Sequence, residues 1–345
     1  MRIGIKFDLR NPAPWSRPQR EVYDKCLTWC EEADARGVGS IWVSEHHLFT
    51  DGYIPQPLTF AAAIAARTKR ARIGTAVLLA PLRPPILIAE EAAVVDIISG
   101  GRLDLGMGAG YARREFAAYE ADFASRFSAT DAAAIEIRQM WKEGSVTPSP
   151  LQDELPIYLG YTSPKGAYRA GKNGFALLHV RPALVEAYFE GLRDGGHSRD
   201  RASLAGDAHM MLTDDPERTY ELVKRQIAWR YDTYNAHSAI GSGRPAPPLV
   251  DPDMWAPGAQ GQDLSAPGVA PAEYHIVTPE EAVRRIKEIA SSGFPIADLH
   301  TYCTSGVPDE LVERHIELVC DHLIPALASK PSADEPAPTS PRANG

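Results

Sequence analysis

Residues 3–43 read IGIKFDLRNPAPWSRPQREVYDKCLTWCEEADARGVGSIWV. Ile3, Ile5 and Phe7 alternate with other residues, which is the two-residue period of a strand. Ser16 to Arg20 opens a helix with Pro18 near its first turn. Val22, Cys26, Trp29 and Ala33 then recur at helical spacing until Gly37 ends the segment. A second strand, Ser40 to Val43, follows at once. Strand, helix and strand within about 45 residues make a βαβ unit.

The same phrase recurs along the chain. Further helices are expected over 58–70, 84–98, 112–143 (in one or two pieces), 164–172, 184–194, 216–234, 280–290 and 311–327. Further strands are expected over 71–79, 102–107, 156–160, 175–180, 208–213 and 296–302. Eight strands alternating with helices predict a parallel sheet with helices outside, closed into a single α/β (β/α)8 TIM barrel. Such a barrel takes about 250 residues or more as one domain, so 345 residues do not require two. The barrel is assigned to residues 1–328. An insertion at 238–275, carrying seven prolines, separates strand seven from the last βα unit and reads either as a lid or as a disordered excursion. Residues 329–345, rich in Pro, Ser and Ala, read as a disordered tail.

Composition narrows the function. Lys plus Arg is 36 against 45 Asp plus Glu, a formal charge of −9, whereas nucleic-acid binding needs a basic face. No apolar run approaches the ~18 residues of a membrane span, and MRIGIKFDLR is too charged for a secretory signal. Four cysteines do not make a disulfide framework. A cytoplasmic, enzyme-like protein is expected.

Barrel chemistry sits at the C-terminal strand ends. There, strand two ends in Ser44-Glu45-His46-His47, strand four in Gly106-Met-Gly-Ala-Gly-Tyr111, and strand five in Gly160-Tyr-Thr-Ser-Pro-Lys-Gly166. Adjacent strand residues point to opposite faces, so His46 and His47 do not share one metal ion, and no metal is expected. One histidine at a barrel mouth suits general acid/base work; a structural histidine tied down by Glu45 is the competing reading. The glycines at 106, 108 and 110 allow close backbone approach by a flat ligand. Ser163 caps a helix that starts at Pro164, and such an end suits a phosphate near Lys165 and Gly166, or is an ordinary cap. Phe7, His179, Met211 and His300 are candidates for the substrate pocket. A phosphorylated planar cofactor fits these signals together.

Several stretches carry a resemblance. They are Gly37-Val-Gly-Ser-Ile-Trp-Val-Ser-Glu-His-His47, Ile73-Gly-Thr-Ala-Val77, Ala89-Glu-Glu91 through Asp96, Ser99-Gly-Gly-Arg-Leu-Asp-Leu-Gly-Met-Gly-Ala-Gly110 and Pro156-Ile-Tyr-Leu-Gly160. In order and spacing they resemble the bacterial luciferase-like monooxygenases, flavin- or deazaflavin-dependent (β/α)8 barrels, over residues 1 to about 327. The resemblance implies proton handling by His46 with Glu45 nearby. It implies a non-prolyl cis peptide at Ala76–Val77 under the flavin ring. It implies cofactor contacts from Gly108, Ala109, Gly110 and Tyr111, and from Tyr161, Thr162, Ser163 and Gly166. Ala109 stands where bacterial luciferase has a phosphate-binding arginine, and Thr162 where it has a glutamate. Lys165, Arg113 or Arg114 could substitute, or reduced flavin could act as a diffusible co-substrate.

The implied reaction is a monooxygenation. Reduced FMN from a separate flavin reductase and O2 would form a C4a-peroxyflavin that oxidises a small organic substrate. Two alternatives stand: a deazaflavin-dependent hydride-transfer oxidoreductase, and a flavin-binding protein without catalysis. A homodimer is implied by the resemblance alone.

Overall fold

The computed structural model describes residues 1–254 and 274–328. Its strands are β1 (Arg2–Phe7), β2 (Ser40–Val43), β3 (Arg72–Thr75), β4 (Leu78–Leu79), β5 (Leu103–Gly108), β6 (Ile157–Leu159), β7 (Ala176–Leu177), β8 (Leu204–Asp207), β9 (Met210–Leu212), β10 (His275–Val277) and β11 (Ile296–Tyr302). The main helices are α1 (Gln19–Arg36), α2 (Pro57–Arg67), α3 (Pro85–Ser99), α4 (Arg113–Ala118), α5 (Arg126–Glu143), α6 (Pro164–Lys172), α7 (Pro182–Asp194), α8 (Pro216–Ala239), α9 (Pro279–Ser291) and α10 (Asp309–Glu317). Six of them start on proline, whose fixed φ suits a first helical turn and whose missing N–H costs nothing there.

Nine strands pair in the order β3-β2-β1-β11-β8-β7-β6-β5-β4, all parallel, and β3–β5 pairing closes the ring. β3 and β4 are one barrel strand broken over residues 76–77, so the barrel has eight strands. Ile73 pairs with Leu103, but Leu78 pairs with Met107, so strand three carries one extra residue across the break. The Ala76–Val77 peptide within it is cis. The space for this excursion comes from glycines on the neighbouring strands. A Cβ at Gly106 would lie 1.8 Å from Thr75 O, and one at Gly108 would lie 2.4 Å from Val77 Cγ2.

The strand parity of β1 decides the lumen. Ile3, Ile5 and Phe7 join the core under the helices, where Phe7 stacks on Trp29 of α1 at 6.4 Å. Gly4 and Lys6 therefore face inward. The barrel floor is polar: Arg2 and Arg72 hold Asp104, Arg2 also holds Asp298, and Trp42 Nε1 donates to Asp298 at 3.0 Å.

Three sequence expectations need correction. The seventh barrel strand is Leu204–Asp207, not 208–213; residues 210–212 instead pair with His275–Val277 in a separate two-stranded sheet. Leu204-Ala-Gly-Asp207 has no β-branched residue and contains a glycine, so its strand propensity is weak; ring closure places it. The last helix, expected over 311–327, runs from Asp309 to Ala328 with a π-helical stretch at Leu318–Leu323. The expected insertion, 238–275, begins inside α8 and ends inside β10, and its residues 255–273 lie outside the described residues, as does the expected tail, 329–345. Among the described residues, no helix is long and apolar enough to cross a membrane.

Candidate active site

The exit of β2 carries three consecutive ionisable side chains, and strand parity divides them. His46 and Glu45 do not pair. Glu45 accepts from Leu79 N (2.7 Å), from Arg83 Nη2 (2.7 Å) and Nη1 (3.1 Å), and lies 2.6 Å from His47 Nε2. Tyr119 Oη is 3.0 Å from His47 Nδ1, so both nitrogens of that ring are engaged. Glu45 thus ties the end of β2 to β4 and to Arg83. It positions; it does not meet the mouth.

His46 is held by Glu115, at the start of α4. Its Nδ1 lies 2.9 Å from Glu115 Oε1, which also accepts from His47 N at 2.7 Å. A carboxylate only accepts, so a proton shared with it sits on Nδ1, and a neutral ring so held has its lone pair on Nε2. No described residue hydrogen-bonds Nε2. Glu115 is wholly buried, and its Oε2 has no partner among the described residues.

Aromatic rings enclose His46. Phe49 stacks on it at 4.6 Å, and Tyr53, Tyr111 and Tyr234 stand edge-on at 4.9, 5.1 and 5.8 Å. Tyr234 belongs to α8, which reaches over the mouth. Its hydroxyl is 3.0 Å from Tyr53 Oη, and His237 of the same helix stacks on Phe49 at 3.5 Å. Arg230, also on α8, pairs with Asp8 at 3.1 Å. Rings that exclude water raise the effect of each charge they surround.

The adjoining wall of the lumen, on β1, β11 and β8, is charged. Lys6 Nζ lies 2.5 Å from Asp207, and His300 Nε2 is 3.1 Å from the same carboxylate. His300 stacks on Trp42 at 5.0 Å, and Lys6 sits 4.6 Å over Tyr302. Burial alone would raise the Asp207 carboxyl; Lys6 and His300 outweigh it and hold it well below the usual carboxylate range. Burial alone would lower His300; Asp207 outweighs it and raises the imidazole. His179 and His209 nearby are lowered to about 4, mainly by burial.

Of the expected pocket residues, His300 and His179 lie at this wall. Phe7 does not: its parity turns it to Trp29. Met211 is fully buried on β9, outside the barrel's strand ring.

The expected cofactor residues fall on one rim. Ala76 and Val77 are half-buried; Ala76 packs beside Leu178 above Trp42 and Tyr158. Gly108 is close-packed against Val77, so its missing side chain serves the strand-three break rather than a ligand. Ala109 is buried, Gly110 has φ +69°, and Tyr111 presents a buried hydroxyl without a partner among the described residues. Thr162 and Ser163 are exposed, and Ser163 Oγ accepts from Gly166 N at 3.3 Å as the α6 cap. Tyr161 differs from its neighbours. Its side chain leaves the rim, packs under Gly166 and donates to Asp131 of α5. Arg113 and Arg126 both lie 4.0 Å from the Phe123 ring.

Glu115, Lys6, Asp207, Tyr53 and Tyr234 escaped the sequence reading. Lys6 had a signal, as a cation between Ile5 and Phe7. Glu115 had none, lying 69 residues from His46. Among the described residues, no group of three or more His, Cys, Asp or Glu is arranged to hold a metal ion.

The model of the luciferase-like monooxygenase family matches residues 1–317. The oxygenase component of the flavin-dependent trigonelline monooxygenase of Acinetobacter baylyi is 32% identical over 344 residues, covering 90% of this chain and 91% of that protein. An F420-dependent glucose-6-phosphate dehydrogenase of Kineococcus radiotolerans is 28% identical over 64% of this chain and 71% of its own length. Among solved structures, monooxygenase RslO1 from Streptomyces bottropensis matches with a TM-score of 0.72 at 24% identity, covering 95% of this chain and 100% of that one, a likeness of fold. A match that runs from the first strand into the last helices, on a closed eight-stranded barrel, makes this chain a member of the luciferase-like monooxygenase family of oxidoreductases.

Proposed function

We propose that the chain is the oxygenase component of a two-component monooxygenase that takes reduced FMN from a separate reductase and oxidises a small organic substrate with O2. The observation that carries this reading is the similarity along nine-tenths of the chain to a protein named as such an oxygenase component. F420-dependent relatives match at lower identity, 28% for that of Kineococcus radiotolerans against 32%.

The residues fit a flavin. Ala76, Val77 and Leu178 form an apolar ledge for a planar ring, and Tyr111 Oη and Glu115 Oε2 are buried beside His46 without partners among the described residues. The exposed first turn of α6, with Ser163 and Lys165, would take the phosphate in the absence of an arginine at position 109. When bound, reduced FMN supplies the electrons and activates O2. His46 Nε2 then accepts or returns a proton at the mouth, Glu115 fixes its tautomer, Glu45 holds the end of strand three through Leu79 N, and the α8 rings exclude water. Anaerobic titration with reduced FMN and reduced deazaflavin, followed by O2 and 18O analysis of product, tests this. Tighter binding of FMN and label in the product are expected. Deazaflavin-only binding with oxygen-independent turnover overturns it.

An apolar face of α3 supports the homodimer that the family resemblance implies. Leu87, Val94 and Ile98 lie seven and eleven residues apart on one face of α3, each more than two-fifths exposed. Val94→Glu with Ile98→Glu is expected to halve the mass seen by light scattering while the circular dichroism is unchanged. An unchanged mass removes α3 as the contact.

A further inference from the structure

Ten buried side-chain polar atoms lack a hydrogen-bond partner among the described residues, and four of them lie in one box: Arg10 Nη1 and Nη2, Tyr111 Oη and Glu115 Oε2. The clustering is not explained by packing. Arg10 leaves the loop after β1 and is 4% exposed. Its Nε donates to Asp51 at 2.7 Å, which spends one donor and leaves the two terminal nitrogens. Trp229 and Tyr234 lie 4.9 Å from its guanidinium carbon, Tyr53 5.2 Å and Phe49 5.9 Å. Those rings attract the face of a guanidinium. They cannot accept the N–H groups in its plane, and a buried donor without an acceptor is costly. Phe49, Tyr53 and Tyr234 are also the neighbours of His46. Arg10 and the proton-handling histidine therefore share one wall.

We propose that Arg10 is a specificity-determining residue that binds a carboxylate on the substrate, and that the substrate is a small planar aromatic acid. The fork of Nη1 and Nη2 matches the two oxygens of a carboxylate. The rings of Tyr53, Tyr111 and Tyr234 supply the flat apolar walls an aromatic ring needs, and Tyr111 Oη adds a hydrogen-bonding group for a ring substituent. Local charge favours a monoanion over a phosphate. Arg10 and Arg230 are already balanced by Asp51 and Asp8, and Glu115 adds a further carboxylate, so a dianion would bring more unpaired negative charge. The inference rests on the oxidation site proposed above, and it does not depend on which flavin serves it.

The test is calorimetric titration of the full chain, without flavin, using benzoate and 4-hydroxybenzoate against benzamide, 4-hydroxybenzamide and phenyl phosphate. The acids are expected to bind about 10–100-fold more tightly than the amides, the range set by a hydrogen bond to a charged group. Arg10→Lys keeps the charge and loses the fork, and should weaken the acids about 10-fold while leaving the amides unchanged. Equal binding of acids and amides overturns the proposal, as does tighter binding of phenyl phosphate or no saturable binding of either acid. The acid–amide comparison uses the unmodified chain, so it decides the matter even if the variant fails to fold. Because flavin is absent, failure here leaves the FMN reading standing, and failure of the FMN titration leaves this result standing.

Discussion

Replacing His46 with alanine is expected to lower kcat by about 10²–10⁴-fold, the usual contribution of a positioned acid/base. Flavin binding should stay within a few-fold, because the ledge of Ala76 and Val77 and the α6 cap are untouched. Glu115→Gln is the finer test. Its amide keeps an oxygen for His46 Nδ1–H but loses the carboxylate charge and can turn its NH2 toward the ring, which puts the proton on the wrong nitrogen. A smaller fall in kcat with an altered pH profile is expected. Glu45→Gln differs in kind. It loosens Arg83, Leu79 and His47, so flavin affinity and melting temperature should fall together. Steady-state kinetics with reduced FMN, run beside flavin titrations, separate the three. Undiminished turnover in His46→Ala would remove it from proton handling, and absent turnover in the unmodified chain across all substrates would favour a flavin-binding role.

The second large effect is on stability. Asp207→Asn leaves Lys6, 7% exposed, without its counter-charge inside the barrel. Breaking a buried pair in this way costs about 3 kcal/mol, the lower end of the usual range, since Asp207 is a quarter exposed. The double change Lys6→Met with Asp207→Asn should recover most of that loss, because the buried ammonium is then gone and His300, freed of Asp207, can stay neutral. The pH dependence has a definite sign. Asp207 is depressed, so its contribution is complete above about pH 4 and is lost as pH falls through the lowered value. His300 is raised, so its contribution is complete below about pH 6.5 and is lost as pH climbs through the raised value. The difference between the unmodified chain and the double variant is therefore largest from about pH 4 to 6.5. His179 and His209, held near 4, act oppositely and lose stability as pH falls, so the difference rather than the absolute curve is the readout. Urea denaturation at several pH values measures it. A loss below about 0.5 kcal/mol for Asp207→Asn would show that water replaces the carboxylate at Lys6.

Residues that act through local backbone geometry were legible in the sequence. Gly37 ends α1 with φ +95°, Pro164 opens α6 behind the Ser163 cap, and the Ile296–Tyr302 strand has the expected bounds. The position of His46 at a strand exit followed from the same counting. Residues that act through distant partners were not legible. Glu45 looks like the partner of His46 because it is adjacent, yet adjacency on an extended chain sends the two side chains apart. Phe7 looks like a pocket residue because it ends a strand at the mouth, yet it shares parity with Ile3 and Ile5 and packs on Trp29.

The sequence by itself determined the alternation of strands and helices, the closure of eight of them into one barrel, and the rim on which chemistry lies. Two- and 3.6-residue periods are properties of the local backbone and survive in the order of the letters. The tertiary structure alone decided which residues meet there. Glu115 comes to His46 from α4, Arg10 meets Trp229 and Tyr234 of α8, and Lys6 of β1 finds Asp207 of β8 past the intervening β11. Those pairings are set by ring closure, which brings together segments more than two hundred residues apart, and no local period encodes them.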